Sequence, residues 1–554
     1  MEKYYKYKLD ISNETMDEIC NKKVDFNLLP QQAFLADYIY DNNNVNGLLI
    51  FHQIGSGKTC TSISIAERLK TKMNIMIVLP ASLEGNFRNT LRSDCVNAIN
   101  RNYNLNSNYI SNSDLELLKT LNVSDKKFID IIQKSDRLID KYYKIYSYHK
   151  FVKLVNQGLI DIHNTLLIID EIQNMVSMSG IFYKSLYNII HKTNSTLKLL
   201  LLTATPIFDN PNEISLTLNL LRPKIKLPPA EVFNHIFLYK NQGKYDVVNI
   251  NQFKKLTMNL VSYYRGDSPI SYPKMNLQLI RCNMSDFQYE AYVNVIKKEK
   301  KKKKPDDIFK LSNSFLLAPR IVSNIAFPNG KYRDEGFVSL KDNFNNIKTY
   351  STKFYTLFNM VKMSTGPVFI YSAFLNTGGL QSLISYFEYN GYKNYIDHDI
   401  GINRYAIWSG DESMDIREKT KYLFNLENNK NGGKIKILFG SPSIKEGISL
   451  LRVEQVHILE PYWNLSRIKQ IIGRAIRYCS HKDLPEDKRY VNVYIYLAVS
   501  LHTTNKLTDE YIWSIAKSKN KIISIFEHAL KEGAIDCNIF YNINNIDNKQ
   551  IICS

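Results

Sequence analysis

The stretch His52-Gln53-Ile54-Gly55-Ser56-Gly57-Lys58-Thr59 constrains this chain more than any other. The apolar run Gly47–Phe51 precedes it, and Cys60 to Lys70 follows with Ile63, Ala66 and Leu69 at helical spacing. Strand, small-residue loop, Lys-Thr and helix is the layout of a phosphate-binding loop. A glycine-bearing turn lets backbone N–H groups curl around an anion at a helix N-terminus. On this reading His52, Gln53, Ile54, Gly55, Ser56, Gly57, Lys58, Thr59 and Cys60 surround a nucleotide. Lys58 reaches the terminal phosphates and the Thr59 hydroxyl sits on Mg²⁺. The strict pattern opens with glycine, where this chain has His52.

Around the loop, strand-like runs alternate with helical patterns from 47 to about 220: Gly47–Phe51, Ile75–Leu79, Leu166–Ile169 and Leu199–Leu202. Such alternation predicts a parallel sheet covered by helices, whose ligands bind at the carboxyl ends of the strands. Residues 96–150 read as a polar, Asn-rich insertion. Residues 1–46 read as an N-terminal extension with a helical entry, in which Gln32 could read an adenine edge or lie on the surface. Residues 221–345 read as a linker and mainly helical insert. Its lysine run, Lys297 to Lys304, is either a solvated segment or a phosphate-contacting arm. A second alternating series over 346–500 (Pro367–Tyr371, Tyr405–Trp408, Ile435–Phe439, Val456–Leu459, Val491–Leu497) predicts a second α/β lobe. Residues 501–554 form a helical, Lys-rich tail.

The net charge of +19 suits a polyanionic partner, nucleic acid foremost. No apolar stretch is long enough for a membrane span, and no signal core opens the chain, so a cytoplasmic protein without a membrane partner is expected. The seven cysteines show no Cys-x-x-Cys, which reads as a reducing compartment without structural zinc or disulfides.

Four further constellations carry chemistry. The strand Leu166–Ile169 delivers Asp170 and Glu171, one to hold Mg²⁺ and one to polarise water; the same pair could simply open a helix favoured by its dipole. Thr203 and Thr205 end another strand and could relay a change at the γ-phosphate. Ser441 to Gly447 could contact the nucleic-acid backbone. In Gln470-Ile471-Ile472-Gly473-Arg474-Ala475-Ile476-Arg477, the two arginines would share a helix face and suit a polyphosphate clamp or a DNA-docking face.

Together these motifs resemble the superfamily 2 helicases and translocases, in order: Gln32; Gly55–Thr59; Pro80 to Leu83; Asp170–Gln173; Thr203–Pro206; Phe369–Phe374; Ser441–Gly447; Gln470–Arg477. The resemblance implies two RecA-like lobes in tandem that use ATP and Mg²⁺. It implies catalytic roles for Lys58, Asp170, Glu171, Gln470, Arg474 and Arg477, and a nucleotide contact at Gly447. It implies coupling or nucleic-acid roles for Pro80, Ser82, Gln173, Thr203, Thr205, Ser372, Ser441 and Glu446. Gln173 stands where many members have His. Thr203 to Asn210 resembles the Swi/Snf-type branch. Pro461-Tyr462-Trp463-Asn464, Ser480-His481 and the tail Ala534-Ile535-Asp536-Cys537 are similar to poxvirus nucleoside triphosphatase I and the early transcription factor small subunit. That likeness implies a DNA-dependent ATPase of a cytoplasmic DNA virus or linear plasmid. It would act in transcription initiation, termination or transcript release, with duplex DNA favoured over RNA. An RNA polymerase or transcription-factor subunit would be a partner, and packaging in the virion an option. The rivals are a strand-separating DNA or RNA helicase and a non-hydrolysing nucleic-acid-binding scaffold.

Overall fold

A computed structural model describes all residues except 1, 10–13, 22–25, 119, 122–124, 177–179, 194–195, 267, 300–306, 310, 313, 332, 399, 446–447 and 546–549. The chain divides into two units. One holds residues 1–13, 22–268 and 522–554, the other residues 14–21 and 269–521.

The first unit is built on a six-stranded sheet: β1 (Gly47–His52), β2 (Asn74–Leu79), β3 (Tyr143–Ser147), β4 (Thr165–Ile169), β5 (Lys198–Thr203) and β8 (Val261–Tyr264). The hairpin β6 (Leu238–Asn241) and β7 (Lys244–Val247) stands apart. The sheet order is β3-β2-β4-β5-β1-β8, and every pairing is parallel. The central strands are buried almost throughout, as expected for a sheet covered on both faces. The core cluster joins Leu48, Ile50, Ile168, Leu200 and Leu202 of the sheet to Phe34, Ile63 and Ile539 of flanking segments.

Two of these strands lie where the sequence predicts none. β3 sits in the expected insertion and is an edge strand; its half-exposed alternation, Tyr-Lys-Ile-Tyr-Ser, leaves no continuous apolar run to detect. β8 lies in the expected linker and is only four residues long. Residues 221–268 thus belong with the first unit and 269–345 with the second.

The second unit carries seven parallel strands: β9 (Lys274–Asn283), β10 (Val368–Tyr371), β11 (Lys393–Asn394), β12 (Arg404–Trp408), β13 (Ile437–Gly440), β14 (Gln455–Ile458) and β15 (Tyr490–Val499), in the order β11-β12-β13-β10-β14-β15-β9. Its five apolar expected runs are strands here, with β9 and β11 added at the edges. The two-lobe parallel α/β architecture expected from the sequence therefore stands.

The cysteine expectation does not. Cys60–Cys95, Cys537–Cys553 and Cys20–Cys479 are disulfide-bonded, and Cys282 is free and buried. Sequence separations of 35, 16 and 459 hide such pairs, because tertiary contact brings them together.

Candidate functional site

β1 ends at His52, and the loop behind it turns through Gly55 and Gly57 at φ +86° and +77°. The positive φ at Gly57 favours glycine, and a Cβ there would lie 2.5 Å from Gln32 Nε2 and displace that carboxamide. Helix Lys58–Leu69 starts on Gly57, with no side chain capping its first turn. Its leading N–H groups and positive dipole end are thereby offered to an anion. The Lys58 ammonium folds onto the loop, donating to the carbonyls of His52 (3.1 Å) and Gln53 (3.2 Å). This donor-rich cradle fits a nucleotide phosphate.

Helix Pro30–Asp41 braces the same loop. Gln31 Nε2 donates to the Ser56 carbonyl (3.2 Å), and Gln32 Nε2 donates to that of Gly57 (3.3 Å). Gln32 Oε1 accepts the Leu29 N–H at 2.9 Å. The carboxamide of Gln32 is thus engaged with backbone, and Gln31 joins it unannounced by the sequence.

Register aligns the remaining motifs at one sheet edge. Phe51 pairs with Thr203 and Ile169 with Leu201, so loop, acids and threonines emerge together. Asp170 follows β4 and accepts the Glu171 N–H through Oδ1 (2.9 Å). Glu171 holds a left-handed backbone, φ 50°, which costs a non-glycine residue about 1 kcal/mol and turns the chain sharply after Asp170. Gln173 then bridges: its Nε2 donates to the Glu171 carboxylate (2.6 Å) and its Oε1 accepts the Thr203 hydroxyl (2.6 Å). Thr203 Oγ1 accepts the Thr205 N–H at 2.9 Å. An unbroken hydrogen-bond path therefore runs from Glu171 to Thr205. Tyr148, which the sequence did not single out, donates its hydroxyl to the Glu171 carbonyl at 3.0 Å. Glu213 supports the turn after Thr205 by accepting the N–H groups of Phe208 and Asp209, and burial pushes its carboxyl up to about 7. Pro80 and Ser82 follow β2 at the same edge, where Ala81–Leu83 forms a short 3-10 turn.

In the second unit, Ser372 and Ser441 follow β10 and β13 at the carboxyl ends of their strands. Ser372 donates to the buried carboxylate of Glu460 (3.0 Å), which also accepts from Asn324 Nδ2 (3.3 Å). Asn324 in turn accepts from Lys353 (3.0 Å), and Lys353 pairs with Asp509 at 2.6 Å, both fully buried. From sequence Glu460, Lys353 and Asp509 have no site role: Asp509 reads as an acid in the first turn of helix Thr508–Glu532, and the other two as single charges among apolar neighbours. Ser441 Oγ lies 3.0 Å from Ser443 Oγ.

Helix Leu465–Ile472 carries Gln470, which is largely buried. The helix is capped by Asn464, whose Oδ1 accepts the Ser466 N–H at 2.8 Å. It ends before Gly473, so Arg474 and Arg477 sit in the following turns and not, as expected, on one helix face. Gly473 interrupts the pattern, and the Arg474 carbonyl is taken by the Leu450 N–H (2.8 Å). Arg474 Nη1 reaches the Ile448 carbonyl at 3.4 Å. Glu446 and Gly447 lie outside the described residues, as do Lys300–Lys304 of the lysine run.

Among the described residues, no helix is long and apolar enough to cross a membrane. The SNF2-related domain family matches residues 31–325, and the helicase conserved C-terminal domain matches residues 356–479. The chain is 46% identical, over all of its length and 96% of the relative's, to a candidate ATP-dependent RNA helicase of Acanthamoeba polyphaga mimivirus. It is 25% identical to nucleoside triphosphatase I of Choristoneura fumiferana entomopoxvirus, covering 99% of this chain and 86% of that one. It is likewise 25% identical to a termination factor NPH-I homolog of African swine fever virus, covering 90% and 77%. The helicase domain of Pyrococcus furiosus Hef aligns with TM-score 0.43 and 13% identity over 90% of this chain and 100% of that one. By these matches the chain belongs to the SNF2-related, superfamily 2 helicases of viral type, a family of ATP-hydrolysing enzymes.

Proposed function

We propose that the protein is a DNA-dependent ATPase that translocates on duplex DNA in viral transcription. The observation that carries the reading is the cradle at 55–59 with Asp170 and Glu171 after β4, two strands away at the same end of the sheet. Lys58 and the loop N–H groups would take the phosphates, and Gln32 would sense the adenine. Thr59 and Asp170 would hold Mg²⁺, which neutralises phosphate charge when bound. Glu171 would orient water, its carboxylate steered by Gln173. Gln470, Arg474 and Arg477 are read as acting on the transferring phosphoryl group, and Gly447 as a nucleotide contact, on the strength of the family motif. Pro80, Ser82, Thr203, Thr205, Ser372, Ser441 and Glu446 are read as coupling residues.

Support for DNA and transcription comes from the SNF2-related match, the +19 charge and the termination-factor relative. The mimivirus relative's name favours RNA instead. ATPase activity measured with no nucleic acid, single-stranded DNA, duplex DNA and RNA separates these readings. Duplex DNA should stimulate most. Stimulation by RNA alone would transfer the protein to RNA handling. Lys58→Ala should lose turnover with every polymer, and retained activity would sink the loop assignment.

A further inference from the structure

The tail segment 534–537 carries a family likeness but no role in the chemistry above. It packs along the outer edge of β8, the edge strand next to β1. The Ile535 N–H donates to the Val261 carbonyl (2.9 Å), and Asp536 Oδ1 accepts the Tyr263 N–H (2.9 Å). Further on, Asn544 Oδ1 accepts the Arg265 N–H at 2.9 Å, and Asn544 Nδ2 donates to the Tyr263 carbonyl at 3.2 Å. The sheet edge is thus closed by residues almost three hundred positions away in sequence, a common device for masking open strand edges.

One contact continues inward. Ser262 Oγ donates to Asp536 Oδ2 at 2.5 Å and lies 2.9 Å from His52 Nε2. All three side chains are fully buried. His52 ends β1 at the head of the loop, and its carbonyl accepts from Lys58. Its other ring nitrogen, Nδ1, is buried without a hydrogen-bond partner among the described residues. Among them, the polar anchor of the imidazole is Ser262, and that anchor is held by Asp536.

We propose that Asp536, acting through Ser262, is a positioning residue for the nucleotide site: it fixes the His52 ring and hence the backbone against which Lys58 is set. The step is a hydrogen-bond relay, Tyr263 N–H and Ser262 O–H onto the carboxyl, and the His52 ring onto Ser262. The groups facing it are the His52 ring from β1 with Lys58 beyond it, Tyr38 from helix Pro30–Asp41, and Lys531, whose ammonium lies 4.7 Å from the Tyr263 ring centre. Burial pushes the Asp536 carboxyl up to about 7 and the His52 imidazole down to about 3, so His52 stays neutral and Asp536 is poised to give or accept a proton. The inference rests on reading loop 55–59 as the ATP site.

The test uses the full-length protein, a fluorescent N-methylanthraniloyl ATP analogue with Mg²⁺ for Kd, and steady-state ATPase for kcat. Ser262→Ala should raise Kd about tenfold with kcat within about twofold. Asp536→Ala should match it, and the double variant should be no worse than either, because the two residues act as one path. Asp536→Asn should restore Kd to within about threefold, since an amide still accepts from Tyr263 N–H and bonds Ser262. Should Ser262→Ala fail to fold, the Asn–Ala pair at 536 decides. Wild-type Kd in Ser262→Ala or Asp536→Ala, additive losses in the double variant, or no rescue by asparagine would overturn the proposal. If the unaltered protein binds no analogue, the ATP-site reading itself falls.

Discussion

At the residue scale, Gln173 shows how a departure from a family pattern is accommodated. A glutamine can donate with one end and accept with the other, and here it does both, between Glu171 and Thr203. The three buried histidines show the opposite economy. His52, His457 and His481 are held neutral by burial, down to about 3, 3 and 4. A group whose folded value is depressed below its unfolded one by loss of the charged form adds stability above the unfolded value, and that stability is lost as pH falls below 6.5. Asp536 and Glu213 act in reverse: raised to about 7, they favour the fold at low pH and penalise it as pH rises through that value. Asp536→Asn removes one of these penalties. Its melting temperature relative to wild type should therefore climb between pH 5 and pH 8, by an amount corresponding to about 2 kcal/mol. A pH-independent difference in thermal melts would show that Asp536 ionises normally in the fold.

At the scale of elements, the closing segment of the chain is a working part of the first sheet. Ile535, Ile539, Phe540 and Ile543 join its core cluster, with Phe540 edge-on to Phe34 and Tyr264. The Cys537–Cys553 bond ties this segment to the last residues. Closing a loop of that size is worth about 3 kcal/mol by chain entropy. Cys553→Ser should accordingly lower the melting temperature of the oxidised protein by several degrees and abolish its response to reductant at that site. An unchanged melting curve would show the pair contributes nothing to the fold. From sequence the segment is a helical tail with a family likeness at 534–537 and no place in the sheet, because its apolar residues face a strand from the middle of the chain.

For the whole molecule, the proposed action of Arg477 on the transferring phosphoryl group is open to a direct test. Arg477→Ala is expected to reduce kcat by about 10³ or more, the worth of an arginine finger, while leaving binding of the ATP analogue within about threefold. Single-turnover ATPase at saturating nucleotide measures this, and an unaltered rate would assign Arg477 to nucleic-acid docking or structure. The sequence by itself determined the two parallel α/β lobes and the loop-and-acid framework, since those depend on short-range order: an apolar run, two glycines, a Lys-Thr, a pair of acids. Tertiary structure alone decided which strands close the sheets, that Arg474 and Arg477 leave their helix, that six cysteines pair, and that Asp536 stands behind His52. Apart from the helix end, where Gly473 is a local signal, these depend on contacts between residues far apart in the chain, where burial and hydrogen-bond satisfaction select partners that no local pattern encodes.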